Sequence, residues 1–167
     1  MSLRSILFAF FTLSFLVTSV EASPRPPDSN SPEGIVFKLY RDYAWEAIMA
    51  GSFSDELLEQ PQNVLEQYFD EKLTALILKN RACEEKKGMC NLDFDPIWDS
   101  QDPSAGDLTV EKTDKQNIVS VKFRYPSTDE RTELKYRVTK TATGWRISDI
   151  SGKDWALVAI LSRPEPK

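Results

Sequence analysis

One change of hydrophobic period divides this 167-residue chain and sets what it can fold into. Between Ile35 and Ala50, Val36, Leu39, Tyr40, Tyr43 and Ala47 recur at helical spacing. A second stripe, Val64, Leu65, Tyr68, Phe69, Leu73, Leu76 and Ile77, predicts one long amphipathic helix from Pro61 or Gln62 to Cys83. Asp70, Glu71, Lys72 and Lys79 fall mostly on its other faces. After Asp107 the period becomes two. Val119, Val121, Phe123 and Tyr125 alternate with Ser120, Lys122 and Arg124, and Leu134, Tyr136 and Val138 with Lys135, Arg137 and Thr139. Such alternation predicts antiparallel strands with one face in water. Helices first and a meander after predicts an α+β fold, with the helices packed on the apolar face of a curved antiparallel sheet.

Local signals punctuate this outline. Ser31 suits a helix cap, Pro32 the first helical position, Glu33 the positive end of the dipole, and Gly51 a C-terminal stop. Ser54–Gln60 reads as a short helical turn before Pro61. Strands are expected at Leu108–Glu111, Asn117–Tyr125, Glu133–Lys140 and Trp145–Ile150, with Thr143-Gly144 as a turn. Lys153–Ser162 reads as a short closing helix with Asp154 near its start.

Ahead of all this, Arg4 precedes an apolar run from Ser5 to Val20 that ends in Val20-Glu21-Ala22, the order of a secretory signal. The run is shorter than the ~20 residues that span a bilayer core. The division expected is a cleaved signal over 1–22, a flexible Pro/Ser-rich leader over 23–32, one domain over 33–163 and a tail over 164–167. The mature protein is then periplasmic or secreted, with no stable membrane insertion.

Cys83 and Cys90 are the chain's two cysteines. In an oxidising compartment a pair this close predicts a local disulfide, and the spacing is wrong for a C-x-x-C redox centre. Histidine is absent, so Ser-His and Cys-His nucleophile schemes are closed to this chain. A formal charge of −5 argues against nucleic acid and against anionic membrane surfaces.

The segment Gly88–Asp107 concentrates the polar chemistry in Asp93, Asp95, Asp99, Gln101, Asp102 and Asp107. Three readings stay open. Oxygen-rich loops bind calcium, although this spacing lacks the Gly and terminal Glu of an EF-hand. Alternatively Trp98 anchors the loop while Asp95, Gln101 and Asp102 present polar groups at a pocket mouth. Or the carboxylates cap turns beside Pro and Gly. Tyr40, Tyr43, Trp45, Tyr136 and Trp145 are cavity-lining candidates that more often serve as core. An Asp–Tyr catalytic scheme would draw on Asp42 or Asp95 with Tyr40 or Tyr43, and no spacing selects one. Hence no catalytic residue, metal or other cofactor is expected.

Three features together carry a resemblance: the helix Val36-Phe-Lys-Leu-Tyr40-Arg-Asp-Tyr43, the loop with Asp95-Pro96 and Gln101-Asp102, and the strand Gly144-Trp145-Arg-Ile147-Ser-Asp149-Ile150 before a closing helix. They resemble the DUF3828 family of exported bacterial proteins, within the NTF2-like (cystatin-like) superfamily. The resemblance implies a cone-shaped α+β fold around a pocket, and implies no reaction. The expectation is a non-catalytic exported domain that binds a small ligand or protein partner at the cone or acidic loop, through Asp95, Trp98, Gln101, Asp102, Tyr40 and Tyr43. Its alternatives are an immunity-type or cell-envelope interaction protein, and an Asp/Tyr enzyme. Sheet-mediated homodimers are frequent in the superfamily, but Lys122, Arg124, Lys135 and Arg137 make the wet face basic for one.

Overall fold

The structure, a computed structural model, describes residues 26–48 and 56–166. The expected secretion signal, Gly51 and Ser54 lie outside these residues.

Helix α1 (Pro32–Tyr43) starts as its sequence dictates: the Ser31 hydroxyl accepts the Gly34 N–H at 3.0 Å, with Pro32 and Glu33 in the first turn. The chain before it turns tightly at Asp28–Ser31, and the Asp28 carbonyl lies where a Cβ on residue 34 would stand, so glycine is required there. The helix buries Ile35, Val36, Leu39, Tyr40 and Tyr43 and packs across all four strands. It then tightens into a 3-10 turn, Ala44–Ala47, where Ile48 N–H bonds the Trp45 carbonyl. Another 3-10 turn, Leu57–Glu59, precedes Pro61.

The expected continuous helix from Pro61 to Cys83 is two helices, α2 (Gln62–Leu65) and α3 (Glu71–Lys87). Two interactions break it. Asp70 is extended and its carboxylate caps α3 by accepting the Leu73 N–H at 2.8 Å. The backbone just before it bonds a strand instead: Ile147 N–H to the Tyr68 carbonyl at 2.8 Å and Asp70 N–H to the Ile147 carbonyl at 2.9 Å. Helix α3 also runs past Cys83 and stops at Gly88, whose φ of 78° supplies the left-handed cap. Cys83 therefore sits inside the last turns, and its disulfide to Cys90, with Cα atoms 5.8 Å apart, ties the returning chain back against the helix.

The sheet is an antiparallel meander in the order β1 (Gly106–Lys112), β2 (Ile118–Arg124), β3 (Arg131–Thr141), β4 (Gly144–Ser151). Val119 stands opposite Tyr136 and Val121 opposite Leu134, with all four buried. Lys135 and Arg137 on the other face are exposed. That face is less basic than its sequence suggests. Lys122 pairs with Glu111 at 2.6 Å, and Arg124 pairs with both Asp107 and Asp129 at 2.9 Å. Irregularities in register at Gly106/Thr109 and Arg137/Val138 mark local bends.

The closing helix α4 is shorter than expected, Leu157–Leu161. Residues before it form a turn in which Gly152 N–H bonds the Trp155 carbonyl at 3.1 Å and the Trp155 ring lies over Gly152. Asp149, not Asp154, supports its start, accepting the Val158 N–H at 3.0 Å. No helix among the described residues is long and apolar enough to cross a membrane.

Candidate functional site

The space between α1 and the sheet is filled. Trp98, 1% exposed, sets its ring edge-on to Tyr40 at 5.1 Å and to Phe123 at 5.7 Å. The Tyr40 hydroxyl lies 2.7 Å from the Ile97 carbonyl and 2.7 Å from the Tyr136 hydroxyl. A carbonyl only accepts, so Tyr40 donates to Ile97 and Tyr136 donates to Tyr40. Burial pushes both phenols well above their ordinary range; the Tyr136 neighbour raises Tyr40 further, whereas the Tyr40 hydrogen bond pulls Tyr136 partly back. Tyr40 and Tyr136 are thus a satisfied core pair, and Tyr40 leaves the set of ligand-binding candidates. Trp98 anchors the loop, as the sequence suggests, but from deep inside and not at a rim.

Tyr43 packs edge-on against Tyr68 at 5.6 Å and borders a shallow hollow shared with Asp42, Trp45 and Gln60. Asp42 is the wrong carboxylate for a base. Burial raises its pKa, but hydrogen bonds from Arg41, Tyr68 and Lys38 outweigh that and hold it below its ordinary value.

The larger opening, a cleft of about 450 Å³, lies elsewhere: between the two 3-10 turns, α3 and the loop after the disulfide. Its walls mix apolar surface (Trp45, Leu57, Ile77, Leu92, Leu161) with carboxylates. Asp95, Gln101 and Asp102 line it, so three of the residues singled out from sequence meet there. Gln101 is held by an amide bond to the Asp93 carbonyl at 3.1 Å. Asp102 closes a turn with Ser100 through reciprocal bonds of 3.0 Å.

Among the acids lining the cleft, Glu46 is the least exposed residue, at 6%. One carboxylate oxygen accepts the Leu57 N–H at 2.8 Å and the other the Trp98 indole N–H at 3.2 Å, so Glu46 joins both 3-10 turns to the loop. Burial pushes its pKa up to about 7, against the pull of those two donors. Asp95 accepts the Ile97 N–H at 2.9 Å, yet burial first and the Glu46 charge second push it up to about 8. Across the cleft, α3 contributes a buried Asn80 that donates to Glu84 at 2.7 Å and accepts the Asn91 N–H at 3.1 Å. Burial raises the Glu84 carboxyl as well. Arg81 spends its guanidinium on the Gln60 carbonyl at 2.7 Å and on Glu59 at 3.7 Å.

Glu46, Asn80, Arg81 and Glu84 were not singled out from sequence, though a signal existed for two of them. Glu46 falls three residues after Tyr43 and seven after Leu39, on the buried stripe. Asn80 stands in the same relation to Ile77 and Leu73. A polar residue on an apolar face is the informative kind of exception. Among the described residues no group of three or more His, Cys, Asp or Glu converges to hold a metal ion. Chemically, the cleft sets two carboxyls that burial pushes up, Glu46 to about 7 and Asp95 to about 8, beside apolar side chains. The chain matches no protein-family model, no curated protein and no solved structure.

Proposed function

We propose that this protein is an exported, non-catalytic binding domain whose ligand occupies the cleft between α3 and the loop carrying Asp95. One observation carries the reading: a cleft of about 450 Å³, within the range of small-molecule sites, combines apolar walls with a few polar groups positioned by buried hydrogen bonds. The disulfide is in keeping with a periplasmic or secreted location, and the helix-then-meander order is in keeping with kinship to DUF3828 and the NTF2-like superfamily. Native mass spectrometry of protein purified from its own compartment tests the binding reading. A co-purifying small molecule whose retention is lost on substituting Leu92→Trp, which fills the cleft, is the expected result. A ligand retained equally by that variant places binding elsewhere.

A second reading, general acid–base catalysis, is favoured by one feature: burial pushes two carboxyls lining one cleft, Glu46 and Asp95, up toward the neutral range. Recovery of the co-purified molecule in chemically altered form, from wild type but not from Asp95→Asn, would select it.

A further inference from the structure

Resting on that cleft as the binding site, we propose that its ligand is an organic ammonium compound, with a primary-amine head between Glu46 and Asp95 and an apolar body along Leu57, Ile77, Leu92 and Leu161. The charge balance of the walls points there. Carboxylates reach the cleft from every side: Glu46 from the first 3-10 turn, Glu56 and Glu59 from the second, Glu84 from α3, and Asp95 and Asp102 from the loop. Arg81 is the one basic residue among the lining residues described, and it is already bound to the Gln60 carbonyl and near Glu59.

Neither Glu46 nor Asp95 enters any ion pair among the described residues. Their hydrogen bonds come from neutral donors: the Leu57 and Ile97 N–H groups and the Trp98 indole. Neutral donors orient a carboxylate but leave its charge uncompensated, and a charge taken out of water is costly without a partner. A cationic ligand supplies that partner, whereas an anionic one meets repulsion from all walls.

The arrangement also selects among cations. The carboxylates are spread around the walls and do not converge three or more at a point, as a bare divalent ion would need. An ammonium group needs fewer, carrying three donors for carboxylate oxygens. The leucine and isoleucine surface beside them suits an alkyl body. Because burial holds both carboxyls partly protonated near neutrality, an arriving cation lowers their pKa values and displaces protons.

Calorimetric titration of the full-length mature protein with hexylamine, hexan-1-ol and hexanoate tests this. Amide NMR shifts of Asn80 and Gln101 report occupancy of the cleft. Hexylammonium is expected to bind at least about tenfold more tightly than hexanol, with hexanoate not binding. Its affinity should rise between about pH 6 and about pH 9 as the carboxyls ionise, and the heat should depend on the buffer through proton release. Asp95→Asn keeps the acceptor for Ile97 and should cost about tenfold in hexylammonium affinity while leaving hexanol unchanged. Glu84→Gln serves as a second variant, with a smaller loss of the same kind. Hexanol or hexanoate binding as tightly as hexylammonium, with the Asn80 and Gln101 shifts moving, overturns the ammonium class and leaves the cleft standing. Probes that bind without moving those shifts, or no binding at all, overturn the cleft itself.

Discussion

Under α1, Tyr136 donates to Tyr40 and Tyr40 donates to the Ile97 carbonyl, each at 2.7 Å, and Trp98 fills the space beside them. Three residues before Trp98 on the same loop, Asp95 faces a cleft in which its neighbours are also acids. Both regions rest on buried polar groups. In the first, the tyrosine hydroxyls pass donor to acceptor and neither carries a charge, so the polar atoms lock one packing. In the second, hydrogen bonds position the acids without neutralising them, which leaves chemistry to spare. Glu46 belongs to both, since it receives the Trp98 indole N–H and lines the cleft. The difference teaches that the closed core is what holds the open site in shape.

The comparison breaks most severely at Trp98. Trp98→Ala removes the ring that Tyr40 and Phe123 pack against and leaves one Glu46 carboxylate oxygen without its indole donor, and should cost about 3–5 kcal/mol in denaturant unfolding. A loss under ~1 kcal/mol would show that the loop is not anchored through the core. Next comes the disulfide. Reducing Cys83–Cys90 should cost about 2 kcal/mol and increase proteolysis between Gly88 and Asp95, with the sheet retained in amide exchange.

A third contrast is pH. Asp95 and Glu46 have folded-state pKa values raised to about 8 and about 7, so between their ordinary values and these the folded state binds more protons than the unfolded chain. Stability from these groups is therefore fully present below their ordinary carboxyl values and falls as pH rises through the folded values, toward 8. Melting temperature should decline from about pH 5 to about pH 8, and Asp95→Asn should flatten the decline, with a gain of roughly 1–2 kcal/mol at the upper end. An unchanged slope in that variant would remove Asp95 from the set of perturbed acids. The smallest effect belongs to the wet face. Lys122 and Glu111 are each about half exposed, and Lys122→Ala should change stability by less than ~0.5 kcal/mol.

Much of the architecture was legible because it repeats. Val119, Val121 and Phe123, then Leu134, Tyr136 and Val138, are buried as their alternation predicts. The start of α1 follows from Ser31-Pro32-Glu33. The misread boundaries have one common cause. At Tyr68–Asp70 the apolar stripe continues across the break, so periodicity alone reads one helix. A capping Asp70 and a distant strand residue, Ile147, divide it. The closing helix starts late because Trp155 folds over Gly152 and donates to Asp99 at 2.7 Å, a contact across the chain that local signals do not carry.

The site was legible in part for a similar reason. Asp95, Gln101 and Asp102 cluster in sequence, so their concentration was visible. Glu46, Asn80 and Glu84 come from other elements and join them only when α3 folds beside the 3-10 turns. Tyr40 and Tyr43 share one helix with an apolar stripe, and residue type alone does not tell a cavity wall from packed core.

By itself the sequence determined the α+β layout, the sheet's wet and dry faces, and the Cys83–Cys90 pairing, because periodicity and short spacing are local properties of a chain. Only the tertiary structure decided which acids lie together, which of them lack a cation, and whether Tyr40 faces a ligand or another tyrosine. Those outcomes depend on burial and on neighbours tens of residues away, as the 2.7 Å bond from Tyr136 to Tyr40 illustrates. A carboxylate becomes a site or a turn cap according to the solvent and charge it loses on folding.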